Sequence, residues 1–83
     1  MKVTIKYFAA VREAIGSGQE QRDPKAATLA ALRDELIALG GAYAQSLARG
    51  KAVRLALNQV MCDESATLLE GAEVAFFPPA TGG

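Results

Sequence analysis

The 83-residue chain contains no histidine, no tryptophan and a single cysteine, Cys62. Zinc and iron sites are built mostly from histidine and cysteine side chains, so the usual sites for these metals are excluded. Nucleophiles activated by a histidine are excluded for the same reason. Neither a GxxxxGK[ST] nor a GxGxxG pattern is present to hold a nucleotide. We therefore expect the chain to bind no metal or cofactor and to perform no catalysis alone.

The chain also has no excess of charge of either sign, because nine basic residues balance nine acidic ones and neither kind forms a run. A nucleic-acid-binding or anionic membrane-binding surface is therefore not expected. No apolar stretch approaches the ~20 residues of a membrane span, and no secretory signal precedes the first predicted strand. One cysteine allows no intrachain disulfide, which is typical of a reducing compartment, and we expect a cytoplasmic protein. Cys62 itself is interpreted as a small buried hydrophobe.

Half of the residues are hydrophobic (51%), which is enough for the core of one domain spanning residues 1–83. Alternating apolar residues predict a strand over residues 2–8, with Val3, Ile5 and Tyr7 facing the core. Further strands are predicted at 19–22, 53–57, 60–62 and 73–77, with a tight turn at Asn58-Gln59.

Helices are predicted at residues 9–15, at 29–39 and at 42–48. The second helix begins after Thr28 at the N-cap, ends at Gly40-Gly41, and carries a core-facing stripe of Leu29, Leu32, Leu36 and Leu39. One main amphipathic helix among several strands favours an α+β fold, in which a mixed sheet of about five strands packs on that helix.

Strand parity predicts a cluster of apolar side chains on the outer face of the sheet. If Val3, Ile5 and Tyr7 face the helix, Phe8 faces away, and the same alternation places Met61 and Phe77 outside. An exposed cluster of aromatic and methionine side chains on a small protein marks a partner surface. The competing interpretation is that the short helix or local twist covers these residues, which then belong to the core.

The chain ends in two prolines followed by Ala80, Thr81, Gly82 and Gly83. Proline has no N–H and cannot continue a central ladder, so the last strand must release the chain at Pro78-Pro79. Two successive prolines favour a stiff polyproline-II segment, and we predict that residues 78–83 project as a tail. Because glycines have no Cβ, the tail could thread a narrow channel and deliver the α-carboxylate of Gly83.

Residues 71–83, GAEVAFFPPATGG, resemble the C-terminus of the small subunit of molybdopterin synthase, the MoaD family. Residues 7–13, YFAAVRE, resemble the first strand and following helix of that family, and residues 57–59 match its midchain Val-Asn-Gln type of segment. The resemblance covers essentially the whole chain, and the Phe-Phe-Pro-Pro and Gly-Gly ending is its specific part. Ala72 stands where the family usually has an acidic residue, and the loop 63–67 lacks a common proline. Neither departure touches the tail.

The resemblance implies the ubiquitin-like β-grasp fold and a sulfur carrier. An E1-like enzyme would use ATP-Mg to adenylate Gly83, and a sulfur donor system would convert the carboxylate to a thiocarboxylate. The tail would then enter the large synthase subunit and give its sulfur to the cyclic pyranopterin precursor of molybdopterin. Gly82 would be the slim neighbour of Gly83. Partner binding is carried over to Phe8, Met61, Phe77, Pro78, Pro79, Ala80 and Thr81, in a heterotetramer of two small and two large subunits.

Other functions remain open. Sulfur carriers for thiamin synthesis or tRNA thiolation share the Gly-Gly ending but generally lack Phe-Phe-Pro-Pro. A ubiquitin-like protein modifier would use the same adenylation and would end with Gly83 in an isopeptide bond to a lysine. A plain interaction module with this fold would keep its activity without Gly82 and Gly83.

Overall fold

The computed structural model describes residues 1–78. Within that range the elements follow in the order β1 Val3–Tyr7, α1 Ala9–Ile15, β2 Gln19–Arg22, α2 Leu29–Ile37, α3 Gly41–Leu47, β3 Arg54–Leu57, β4 Val60–Cys62 and β5 Glu73–Phe77. All five predicted strands are confirmed. The predicted bounds also hold for α1, β2, β4 and β5, while β1, α2, α3 and β3 differ from their predicted bounds by one or two residues at one or both ends.

The five strands form one sheet in the order β2-β1-β5-β3-β4. The first and last strands of the sequence, β1 and β5, pair in parallel, whereas every other neighbouring pair is antiparallel. The sheet is therefore mixed, as predicted. This pairing places β5 in the centre of the sheet, so the chain reaches Pro78 directly from a central strand.

The helices cover one face of the sheet and enclose the core with it. Val3, Ile5 and Tyr7 of β1 are buried, and so are Val74 and Phe76 of β5, as the alternation predicted. The rings of Tyr7 and Phe76 stack with their centroids 6.3 Å apart. The helices contribute further buried side chains to this cluster, namely Val11, Leu29, Leu32, Leu36 and Leu47.

The main helix, α2, begins as predicted and ends early. The Thr28 hydroxyl accepts a hydrogen bond from the Ala31 N–H at 3.2 Å, which confirms the N-cap. The prediction that Leu39 belongs to the core is wrong, because this side chain is 51% exposed. The N–H of Leu39 bonds to the Leu36 carbonyl, three residues back. This tighter turn ends the helical spacing and removes Leu39 from the stripe.

Two chain reversals depend on backbone in the left-handed region. Gly40 has φ of +76° and directly precedes α3, so the chain changes direction between α2 and α3 without a longer loop. Asn58 and Gln59 have φ of +50° and +69°, which confirms the predicted tight turn between β3 and β4. Among residues 1–78, no helix has the length and apolar character needed to cross a membrane.

Candidate functional site

The sheet face opposite the helices carries the candidate docking surface. Phe8 is 46% exposed and Met61 is 52% exposed, whereas Phe77 is half-buried. The alternative that all three belong to the core is therefore wrong for Phe8 and Met61. Phe77 follows the buried Phe76 in β5, and its ring lies against the exposed Phe8 on the outer side.

Phe8 and Phe77 are in direct contact. Their rings meet edge to face, with centroids 6.1 Å apart and planes at 90°, a preferred geometry for aromatic pairs. The Phe8 N–H donates to the Phe76 carbonyl at 3.1 Å, and the Phe8 carbonyl accepts from the Val11 N–H at 3.1 Å. The backbone of Phe8 is thus fixed to both β5 and α1, which holds its ring against that of Phe77.

The turn that presents Phe8 is strained at the next residue. Ala9 has φ of +50°, a left-handed conformation that costs a non-glycine residue about 1 kcal/mol. Both sides of Ala9 are anchored, by the pairing of β1 and by the hydrogen bonds of α1. The chain therefore turns sharply from β1 into α1, and the side chain of Phe8 is exposed at this turn.

Met61 lies on the same face of the sheet, separated from Phe8 and Phe77 by two small residues. It pairs with Ala56 of β3, Ala56 pairs with Ala75 of β5, and Ala75 pairs with Lys6 of β1. Both alanines are less than 10% exposed, because their short side chains lie between longer neighbours. Ala56 and Ala75 thus form a flat floor between Met61 and the aromatic pair. We call Phe8, Ala56, Met61, Ala75 and Phe77 the outer patch.

Sequence reasoning did not identify the two alanines, although the same parity rule applied to β3 and β5 would have found them. It also missed the charged side chains beside the outer patch. Lys6 Nζ lies 3.3 Å from Glu73 Oε1, so these two charges balance each other. Arg54 is the other charged residue on this face of the sheet, and it is exposed.

The predicted tail leaves the domain next to the outer patch. Pro78 directly follows Phe77 and is half-buried. It lines a cleft of about 210 Å³ together with Ala10 and Ala14 of α1 and Ser46 of α3. The remaining predicted tail residues, Pro79, Ala80, Thr81, Gly82 and Gly83, lie outside the described residues.

Residues 1–78 contain no group of three or more His, Cys, Asp or Glu side chains arranged to hold a metal ion. The Cys62 side chain packs partly buried against the core, in agreement with its interpretation as a hydrophobe. Burial, and then the neighbouring Asp63, raise the pKa of the Cys62 thiol, so the reactive thiolate is disfavoured.

Comparison with known proteins extends these observations. The model of the ThiS family matches residues 5–83. A Haemophilus influenzae protein named molybdopterin synthase sulfur carrier subunit is 37% identical over 81 residues, which cover 98% of this chain and 99% of that protein. The crystal structure of SAMP1 from Haloferax volcanii is 27% identical, with a TM-score of 0.72 and both chains covered to 100%.

A second solved structure agrees in fold. It is the complex of subunits 1 and 2 of the molybdopterin-converting factor from Helicobacter pylori, in which the matching chain is 24% identical with a TM-score of 0.69 and 100% coverage of both chains. The mixed five-stranded sheet with its helices on one face is the ubiquitin-like β-grasp arrangement of these structures. The fold implied by the resemblance is thereby confirmed.

Proposed function

This chain belongs to the ThiS family, and on that basis we propose that it is the sulfur-carrier subunit of a molybdopterin synthase. The relative from Haemophilus influenzae carries that name and matches the chain over nearly its full length. The proposal assigns the chemistry to Gly83 and the docking to the outer patch. In this function the chain delivers sulfur, and the catalytic residues belong to the large subunit.

One observation most directly supports the assignment of docking to the outer patch and of chemistry to Gly83. The contacting rings of the exposed Phe8 and the half-buried Phe77 lie where β5 ends and Pro78 begins the predicted tail. A partner that binds the outer patch is therefore next to the start of the segment that ends in Gly82-Gly83. Docking and delivery of the terminal carboxylate are coupled by position, because Phe77 and Pro78 are consecutive residues.

The proposed chemistry follows from the poor reactivity of a carboxylate toward nucleophiles. On the activating E1-like enzyme, the carboxylate oxygen of Gly83 attacks the α-phosphorus of ATP and pyrophosphate leaves. Sulfide (HS⁻) supplied by the donor then attacks the acyl carbon and displaces AMP, which gives the thiocarboxylate. In the large subunit the thiocarboxylate sulfur bonds to a carbon of the pyranopterin precursor, which loses an oxygen substituent in exchange. The resulting thioester bond between the sulfur and Gly83 is then hydrolysed. An oxygen from water restores the carboxylate.

The role of Gly82 is steric. A channel that admits only the end of the chain must be narrow, and a residue without Cβ passes where a larger one would not. Proline has little conformational freedom to lose, so Pro78-Pro79 lowers the entropic cost of ordering the tail in a partner. Ala80 and Thr81 complete the segment that we propose to contact the partner.

The test is the intact mass of the chain after incubation with the E1-like enzyme, ATP-Mg and a sulfur donor. We expect a gain equal to the difference between sulfur and oxygen, located on the C-terminal peptide and absent without ATP. Adding the large subunit and the cyclic pyranopterin precursor should reverse the gain. If no sulfur is gained under conditions that charge a known carrier, the proposal is wrong.

A second candidate function is a ubiquitin-like protein modifier. It is favoured by the similarity to SAMP1, small archaeal modifier protein 1, at 27% identity over the full length of both chains. A modifier uses the same adenylation, so the mass gain alone does not separate the two functions. To separate the two functions, a tagged chain is expressed under native conditions and its covalent conjugates with other proteins are sought. Conjugates that resist denaturation and carry the C-terminal segment of this chain on a lysine, joined through Gly83, would support the modifier. Their absence together with sulfur transfer supports the carrier.

A further inference from the structure

Arg54 stands at a distinctive place beside the outer patch. It is the first residue of β3 and pairs directly with Phe77 of β5. Its neighbour Leu55 is 4% exposed and faces the core, so the exposed Arg54 side chain projects from the outer face. Directly opposed residues of an antiparallel pair have Cβ atoms about 5 Å apart. The guanidinium is therefore within reach of anything that covers Phe77.

Within residues 1–78, no carboxylate forms an ion pair with Arg54. Three other arginines, Arg22, Arg33 and Arg49, are paired with acidic side chains. Asp63 follows β4 at the position that continues the β3–β4 register beside Arg54, but its Oδ1 accepts hydrogen bonds from the N–H and the hydroxyl of Ser65. Arg54 thus has no ion-pair partner among residues 1–78, whereas Lys6 and Glu73 pair with each other on the same face.

The absence of an ion pair at Arg54 has a consequence for docking. In the free protein, water solvates the guanidinium. A partner that covers Phe77 displaces part of that water, because Arg54 is directly beside the ring. A charge that loses water without gaining a partner is strongly unfavourable. The arginine fork matches a carboxylate with two parallel hydrogen bonds and offsets this cost.

We propose that Arg54 is a specificity-determining residue that pairs with an Asp or Glu carboxylate of the large subunit. That carboxylate lies at the rim of the apolar pocket that receives Phe8 and Phe77. This inference rests on the proposed function, since it assigns the occupant of the outer patch to the large subunit. It adds a charge requirement to a surface that is otherwise recognised by its apolar shape.

A rim charge acts mainly on the rate of association and on its dependence on salt, whereas the apolar contact acts on the rate of dissociation. The test measures both rate constants for binding to the purified large subunit by biolayer interferometry, at low and high ionic strength. Arg54→Glu reverses the charge beside the outer patch. Lys25→Glu changes the net charge equally at an exposed position in the loop before α2, away from this face. Arg54→Lys keeps the charge but loses the fork.

We expect Arg54→Glu to associate roughly tenfold more slowly at low salt, with the difference shrinking as salt screens the charges. Lys25→Glu should stay within about twofold of the unsubstituted chain, and Arg54→Lys should fall between the two glutamate variants. Reversing one carboxylate at the pocket rim of the large subunit to arginine should restore the rate of Arg54→Glu. Thermal unfolding of each variant verifies that the domain is folded.

The outcomes separate this inference from the function on which it rests. Binding of the unsubstituted chain and of Arg54→Glu at equal rates would overturn the assignment of Arg54 and leave the sulfur-carrier proposal standing. Equal slowing by Lys25→Glu would overturn it too, because net charge alone would then explain the effect. The same measurement with the activating enzyme gives a further outcome: if Arg54→Glu slows association with that enzyme only, the assignment of the carboxylate to the large subunit is overturned. If the unsubstituted chain does not bind the large subunit, both proposals are wrong.

Discussion

Among single residues, Gly82 carries the most specific steric demand of the proposed function. We predict that Gly82→Val lowers the rate of thiocarboxylate formation or of sulfur delivery about 100-fold, because a small displacement of a reacting group has an effect of this size. The free energy of unfolding should change by less than about 0.5 kcal/mol. Intact mass against time measures charging and discharge, and urea titration measures stability.

The control for this variant is Gly50→Val. Gly50 lies outside the helices and strands, its φ is not in the left-handed region, and a Cβ there would meet no atom within 4 Å. It should charge and discharge at the rate of the unsubstituted chain. Normal sulfur transfer by Gly82→Val would refute the argument that the tail threads a narrow channel.

Phe77 tests the outer patch itself. We predict that Phe77→Asp weakens binding to the large subunit by about 2 kcal/mol, which is typical of a central aromatic contact. The contact with Phe8 is lost and a carboxylate replaces an apolar ring. Leu69→Asp is the matched control, because Leu69 is 65% exposed in the segment before β5 and is not part of the patch. Calorimetric titration gives both affinities, and equal values would show that docking occurs elsewhere.

The sequence predicts Phe8, Met61 and Phe77 on the outer face because alternation along a strand is a local property. Arg54 is different. A single exposed arginine has no periodic pattern, and its meaning depends on the β3–β5 register, which places it beside Phe77. Register between strands that are distant in sequence is a property of the folded sheet, so residue types alone do not reveal this neighbour.

For the elements, local signals predict existence and type better than packing partners. The N-cap of Thr28 and the turn at Asn58-Gln59 follow from side-chain and backbone preferences, and both are confirmed. Leu39 is the instructive error, because its spacing continues the apolar stripe although the helix ends at Ile37. The side chain that joins α2 to α3, Arg33, was not predicted, since charged residues are rarely fully buried.

Arg33 holds the end of α3 against α2. Its side chain is nearly inaccessible, Nε donates to the Leu47 carbonyl at 2.7 Å, and Nη2 donates to the Ala48 carbonyl at 2.8 Å and the Lys51 carbonyl at 3.2 Å. Glu64 adds an ion pair at 3.3 Å. Burial lowers the pKa of Arg33 while Glu64 opposes this effect. One guanidinium therefore satisfies backbone groups that α3 and the following turn leave without partners.

We predict that Arg33→Met destabilises the domain by about 3 kcal/mol, because buried carbonyl groups and Glu64 lose their donor. Urea unfolding measures the change. Arg12→Met is the control, since Arg12 is exposed on α1 and has no ion pair among the described residues. It should change stability by less than about 0.5 kcal/mol. A loss of similar size in both variants would show that the Arg33 hydrogen bonds are not responsible.

In the molecule as a whole, one partly buried carboxylate connects the edge of the sheet to the helical layer. Glu20 of β2 accepts hydrogen bonds from the hydroxyl of Tyr7 at 2.7 Å and from that of Tyr43 at 2.6 Å. Its other oxygen lies 2.8 Å from Arg22 Nε. β1, β2 and α3 are therefore linked through this side chain, which counters the tendency of a short edge strand to separate from the sheet.

Glu20 also makes the stability of the domain depend on pH. Burial opposes its ionisation, but the hydrogen bonds from Tyr43 and Tyr7 and the charge of Arg22 outweigh burial and hold the pKa of Glu20 below its usual 4.5. A lowered pKa means that the folded state binds fewer protons than the unfolded state. The stabilisation is therefore present above about pH 5 and is lost as the pH falls through the folded-state value.

We predict that Glu20→Gln lowers the free energy of unfolding by about 2 kcal/mol at pH 7, since hydrogen bonds to a charged group are lost. The deficit relative to the unsubstituted chain should shrink as the pH falls below the usual value of 4.5 and through the lowered folded-state pKa of Glu20. Asp23 and Asp63 also have lowered pKa values, through the N-terminal amine and Ser65. The difference between the two proteins, measured by urea unfolding at each pH, cancels their contribution. Glu13→Gln, at an exposed position on α1, is the matched amide control and should change the free energy of unfolding at pH 7 by less than about 0.5 kcal/mol. A deficit for Glu20→Gln that stays constant from pH 7 to pH 3 would show that the charge of Glu20 does not stabilise the fold.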